Sequence, residues 1–241
     1  MSASSFLTIV RHLFPRSGRA FDTKRRRVHH LALMPAAKFP TQLTQMVLAV
    51  EHLLSTGLAP HNIQLAGDSA GANLILQLIS HILHPVPDVP ILSTPLPLGG
   101  ALLISPWISL SPKAEGSIVA NGKKDVLSTQ AWLRFGTFVL ENTPESNHLL
   151  LDHINAPDGW FDDIAKTVSK VLITAGDDEC LVDSITVFAE TIRKVHPQAT
   201  YLVQENAIHG DALLDFVVPA PNTIGSLTPK MVDWIASGWS D

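Results

Sequence analysis

Cysteine is nearly absent. The 241 residues include one, Cys180, which excludes an internal disulfide framework and leans the chain toward the cytosol. Charge is also sparse. Asp, Glu, Lys and Arg make up 16% of the residues and leave a net charge of −5, so neither nucleic acid nor an anionic membrane is expected as a partner. The basic run Lys24–Arg27 reads as a solvated turn in an otherwise acidic chain. No run of about 18 uncharged apolar residues occurs, so neither a membrane span nor stable membrane insertion is expected. The N-terminal "SSFLTIVRHLF" is broken by Arg11 and His12 and is not followed by a small-residue cleavage site, so it does not read as a secretory signal. There is no glycine-rich phosphate loop and no cofactor motif, and the eleven histidines show no metal-ligand spacing. No cofactor or metal is therefore expected. Nothing in the pattern fixes an oligomeric state.

Hydrophobic residues make up 46% of the chain, enough for a large core. Residues 1–35 show no clear periodicity and form an atypical N-terminal segment. Order begins at residue 36. Leu43, Met46, Val47, Val50, Leu53 and Leu54 fall at helical spacing, and Gly57 closes that segment. "NIQLAG" reads as a buried strand and "SAGANLILQLISHIL" as a helix apolar on most sides. Residues 84–98 hold five prolines and form a loop. "GGALLISPWISL" supplies the next strand, and residues 128–142 an amphipathic helix capped by Ser128. "KVLITAG" and "ATYLVQEN" read as strands, "SITVFAETIRKV" as a helix capped by Asp183, and "TPKMVDWIASGW" as the last helix. This alternation implies an α/β fold with a mostly parallel sheet and helices on both faces.

The chemistry centres on Gly67-Asp68-Ser69-Ala70-Gly71, set between a strand and a helix. A serine on a sharp turn needs small residues two before and two after it. The helix that starts there aims its N-terminal amides and positive dipole end at the place where negative charge develops. Ser69 is thus a candidate nucleophile, and the Ala70 amide a candidate oxyanion donor. A serine nucleophile needs a base, and the base needs an orienting acid. An acidic loop, "GDDECLVDS", follows the strand "KVLITA", and His209 follows the next strand in "NAIHGD".

Taken together, "GDSAGANL", "LISPWISL", "GDDECLVDS" and "ENAIHG" resemble the hormone-sensitive-lipase-like branch of the α/β-hydrolases, a family of carboxylesterases, lipases and acetyl-ester hydrolases. "AKFPTQL" resembles that family's Phe-Pro segment ahead of the elbow helix. The resemblance covers about residues 36–241 and implies a serine carboxylic-ester hydrolase acting on a small-molecule ester. Ser69 matches the nucleophile and His209 the base. The family's Gly-x-x-acid-x-Leu-x-Asp pattern, laid on Gly176, Leu181 and Asp183, puts Glu179 in the acid position, with Asp178 and Asp177 as rivals in the same loop. Residues 112–165 are candidates for a cap over the pocket. Trp107, Trp132 and Phe135 are candidates for its wall, each with plain core packing as the alternative.

One feature of the family is not found. Its His-Gly-Gly-Gly-type oxyanion loop should precede the elbow, but only Gly18 and Gly57 lie upstream of Gly67. "HHLALMPAAKFP" keeps Leu31, Ala32 and Pro35 only in disturbed spacing. The expectation is an incomplete α/β-hydrolase fold, N-terminally truncated, with its N-terminal strands missing and an open sheet edge beside "NIQLAG". Activity would then be impaired. The alternative is a catalytically inactive pseudo-hydrolase or a ligand-binding protein on the same fold.

Overall fold

A computed structural model describes residues 7–11, 26–28, 34–217 and 225–238. The readings made on His12, Gly18, Lys24, Arg25, Leu31 and Ala32 lie outside the described residues, and Arg26 and Arg27, expected in a turn, lie on a strand.

Thirteen helices and strands are described, joined by loops and short 3-10 turns. In chain order they are β1 (Leu7–Arg11), β2 (Arg26–Val28), α1 (Thr41–Ser55), β3 (Ile63–Asp68), α2 (Ala70–Leu83), β4 (Gly100–Ile104), α3 (Ser117–Ala120), α4 (Thr129–Glu141), β5 (Val171–Gly176), α5 (Val182–Val195), β6 (Ala199–Gln204), α6 (Asp211–Val217) and α7 (Leu227–Ser237). The sheet order is β2-β1-β3-β4-β5-β6. Strands β3 to β6 run parallel, in chain order. The sheet edge beside β3, expected to be open, carries β1, which pairs antiparallel along it from Leu7 opposite Gly67 to Arg11 opposite Ile63. A row of strand N–H and C=O groups pairs with any extended segment in reach, and β1 occupies that row here.

Each central strand buries both faces. Ile63, Leu65, Ala101, Leu103, Val171 and Ile173 point to the side covered by α1, α2 and α5. Leu102, Ile104 and Leu172 point to the side covered by α6 and α7, where they meet Leu227 and Met231. This is why these strands read as continuous apolar runs and not as alternating ones. Helix α1 buries Leu43, Met46, Val47, Val50 and Leu53 and leaves Leu48 exposed, as its single apolar stripe requires. Helix α2 is buried from Gly71 through His81, which accounts for its apolar character all round.

Ser128 caps α4 by accepting the Ala131 amide at 3.3 Å. Asp183 does not cap α5. The helix starts one residue earlier, at Val182, and the Asp183 carboxylate instead accepts the Ser117 amide at 2.7 Å across to α3. No helix among the described residues is long and apolar enough to cross a membrane.

Candidate active site

The C-terminal ends of the parallel strands bring the chemistry-bearing residues to one edge of the sheet. At the end of β3 the backbone reverses into α2 through Ser69, which sits at φ 51 and ψ −116. A non-glycine residue there carries roughly 1–3 kcal/mol of strain and persists only where its surroundings over-determine it. They do so here. The Ser69 amide donates to the Ile104 carbonyl at 2.9 Å, and its carbonyl accepts the amides of Asn73 (3.0 Å) and Trp107 (3.1 Å). Gly67 leaves room for the turn, since a Cβ there would lie 2.6 Å from the Gly71 carbonyl carbon. Ser69 is half-buried and so remains reachable. Ala70 opens α2, so its amide has no acceptor within the helix.

The acid loop follows β5 and the histidine loop follows β6. Glu179 Oε2 lies 3.3 Å from Nδ1 of His209, with Glu179 fully buried and His209 9% exposed. The alignment misses that of a good hydrogen bond, and neither carboxylate oxygen has another hydrogen-bond partner among the described residues. A buried carboxylate is costly unless paired, and His209 is the partner at hand. The rivals lie elsewhere. Asp178 is half-exposed and pairs with Lys124 at 2.6 Å, and Asp177 accepts the Ala207 amide at 3.3 Å. Of the three acids, Glu179 is the one brought to the histidine.

Sheet order alone would keep His209 away from Ser69, since β4 and β5 lie between their strands. The loop after β6 closes this gap. The Gly210 amide donates to Ser105 Oγ at 3.1 Å, at the end of β4, one residue beyond the carbonyl that holds Ser69. An aromatic chain bridges the same gap. Trp107, bonded through its amide to Ser69, lies 5.6 Å between ring centroids from Trp132. Trp132 meets the His209 ring edge-on at 4.8 Å. Trp132 is buried and Phe135 exposed. Of the three aromatics singled out in the sequence, Trp132 touches His209, Trp107 lies behind it, and Phe135 faces outward on α4.

Asn73 adds a buried tie. Its Nδ2 donates to the carbonyls of Trp107 and Leu151, both at 2.6 Å, and its Oδ1 accepts from Gln77 at 2.7 Å. Cys180, beside Glu179, is no competing nucleophile. Burial first, then the neighbouring Asp125 and Glu179 charges, push its thiol up to about 12. Other buried histidines serve the frame. His81 Nε2 lies 2.9 Å from the Pro90 carbonyl, and His196 Nε2 lies 2.9 Å from that of Val168. No cluster of three or more metal-ligating side chains occurs among the described residues.

Asp125, Ser105 and Asn121 were not singled out in the sequence. Asp125 Oδ1 accepts the His209 amide at 2.9 Å, and its Oδ2 accepts the Cys180 amide at 2.7 Å. Asn121 Nδ2 donates to the carbonyls of Asp177 (3.1 Å) and Glu179 (3.0 Å). No local motif marks these residues, because each acts on chain more than fifty positions away.

A family model described as steryl acetyl hydrolase matches residues 29–219. An acetyl-hydrolase from Streptomyces hygroscopicus is 26% identical over 172 residues, covering 71% of this chain and 52% of that protein. An esterase from Acinetobacter venetianus is 28% identical over 162 residues, covering 66% of this chain and 47% of that protein. The chain thus spans about half the length of the curated relatives it matches. Among solved structures, an esterase from the bacterial hormone-sensitive lipase family superposes with a TM-score of 0.63 at 21% identity, covering 80% of this chain and 60% of that one. The fold is accordingly that of the α/β-hydrolases.

Proposed function

Because the chain belongs to the steryl acetyl hydrolase family, we propose that it is a serine carboxylic-ester hydrolase that cleaves acetyl and other short-chain esters. The observation that carries this reading is the buried Glu179 carboxylate 3.3 Å from Nδ1 of His209, in the loops that follow β5 and β6. Ser69 Oγ attacks the ester carbonyl while His209 takes its proton and then returns it to the leaving alcohol. Glu179 holds the imidazole tautomer and stabilises the imidazolium. The Ala70 amide, at the positive end of α2, donates to the oxyanion. Water, activated by the same His209, then hydrolyses the acyl-enzyme. Residues 36–241 act as the hydrolase domain, with residues 112–165 contributing to the cover over the site. The edge-on packing of Trp132 against His209 supports that role. Membership in the steryl acetyl hydrolase family suggests an acetylated sterol as substrate, with the sterol or a similarly bulky alcohol as the leaving group.

A second reading, an inactive relative that keeps the triad, draws on the scarcity of glycine upstream of Gly67. Losing one oxyanion donor costs about 100- to 1000-fold in hydrolases. Hydrolysis of p-nitrophenyl acetate by the wild type and by Ser69→Ala separates the two readings. Turnover by the wild type that the substitution abolishes is the expected result. Equal inertness of the two would overturn the esterase reading in favour of the inactive one.

A further inference from the structure

We propose that Asp125 is a positioning residue that fixes the Glu179–His209 pair by clamping both of their loops at once, an assignment that rests on the esterase reading above. The residue lies on the turn between α3 and α4, half-buried. One of its oxygens accepts the amide of His209 itself at 2.9 Å. The other accepts the amide of Cys180, the residue after Glu179, at 2.7 Å. The first oxygen also takes the Val126 amide at 2.8 Å, which holds the carboxylate in its own turn. The loops that carry acid and base are thus joined through one side chain.

The carboxylate suits this place because the groups that bond to it are donors, three backbone N–H groups and the Cys180 thiol, and an ionised carboxylate only accepts. Bonds of this kind are about twice as strong as neutral ones. An amide in its place would keep one acceptor and turn an NH2 group toward a backbone N–H, losing one bond and adding a repulsion. Neighbouring residues grip the same backbone. Asn121 holds the carbonyls of Asp177 and Glu179, and the Ser117 hydroxyl donates to the Cys180 carbonyl at 2.9 Å. Of these three side chains, Asp125 is the one that also bonds to the backbone of His209. The pair it governs has little slack, since 3.3 Å is already long for a hydrogen bond, and a further drift would leave the imidazole unoriented.

The test compares wild type, Asp125→Asn and Asp125→Ala in p-nitrophenyl acetate kinetics, thermal melting and low-field proton NMR of the imidazole N–H shared with Glu179. A misplacement of about 1 Å costs on the order of 100-fold. Asp125→Asn is therefore expected to lose roughly 10- to 100-fold in kcat with KM changed less than about threefold. The low-field signal is expected to broaden or vanish while the protein stays folded. A merely structural role would lower the melting temperature and leave both kcat and the signal of the folded fraction intact, and that result would overturn the proposal. If Asp125→Ala fails to fold, Asp125→Asn carries the comparison. A wild type that turns over no ester and reacts with no fluorophosphonate sinks the esterase reading instead. The low-field signal in Asp125→Asn then decides the positioning role by itself, its loss supporting the role and its persistence refuting it.

Discussion

Replacing Gly67 by alanine adds one methyl group where the structure has no space for it. The new carbon would lie 2.6 Å from the carbonyl carbon of Gly71, 2.7 Å from its oxygen and 2.8 Å from the Ala72 nitrogen. All three atoms are backbone of the first turn of α2, so no rotamer change relieves the contact. Optimal carbon contacts lie at about 3.5–4.0 Å, so strand and helix must part by roughly 1 Å. The strand cannot yield, because β3 is paired on both sides, with Gly67 opposite Leu7 on β1 and Leu103 on β4. The start of α2 must therefore move, and Ser69 and the Ala70 amide move with it. Overpacking of this kind costs about 1–3 kcal/mol, or a fall of about 2–12 °C in melting temperature at this chain length. The rate should suffer more, on the order of 100-fold, since a shift of about 1 Å at the reacting group costs that much. Gly57→Ala is the control. Gly57 has φ +83 with nothing within 4 Å of its Cβ position, so alanine there carries about 1 kcal/mol of backbone strain far from the site. Melting curves and kcat on p-nitrophenyl acetate read both variants. Wild-type kcat in a destabilised Gly67→Ala, or an equal loss of kcat in Gly57→Ala, would refute the reasoning.

Glu179→Gln should lose about ten-thousandfold in kcat, as in other hydrolases where the orienting carboxylate becomes an amide. Asp178→Asn, which disturbs only a surface pair with Lys124, should stay within about twofold. The reverse ranking would make Asp178 the acid. His153 is buried, and burial lowers its pKa to about 4, against weaker opposing effects of a hydrogen bond to the Asn73 backbone and of the Asp152 charge. The unfolded chain takes up this proton below about pH 6.5 and the native state does not, so stability is unaffected above that pH and falls by about 1.4 kcal/mol per unit below it. By about pH 5 the loss reaches about 2 kcal/mol, and urea titrations of His153→Met should show that much less change between neutral pH and pH 5. An unchanged slope would exclude His153 as its source. Cys180, buried with its thiol pushed up to about 12, should resist a disulfide reagent at neutral pH until urea is added. Prompt stoichiometric labelling of the native protein would contradict that burial.

The elements that could be read in advance carry a long, undivided pattern. The fifteen residues of α1 show one apolar stripe, and β4 and β5 are buried at every position. Helix α6 leaves no pattern in the sequence because its seven residues make only about two turns, too few for a period of 3.6 to show. Helix α3 is shorter still, at four residues. Asp183 reads as a cap in the sequence because acidic residues favour helix starts. It sits one residue inside the helix because the Ser117 amide, 66 positions away, recruits its carboxylate. The pairing of β1 with β3 had no local signal either, since an antiparallel partner is chosen by the edge it meets and not by its own sequence alone.

The candidate site divides along the same line. Ser69 is legible because the turn that strains it is built from five adjacent residues, and the glycines that permit the strain must lie beside it. Glu179 and His209 are legible by order, because parallel strands deliver their loops to one edge of the sheet. What aligns these residues is neither adjacent nor ordered. Asp125 and His209 are 84 positions apart, and Ser105 and Gly210 are 105 apart. The loop after β6 must pass β5 to reach the end of β4, and only a side chain waiting there can stop it. Any polar residue of the right length at position 105 or 125 would look the same in the sequence. Chemistry that depends on bonded neighbours therefore leaves a motif, whereas chemistry that depends on where two distant loops come to rest leaves only a contact.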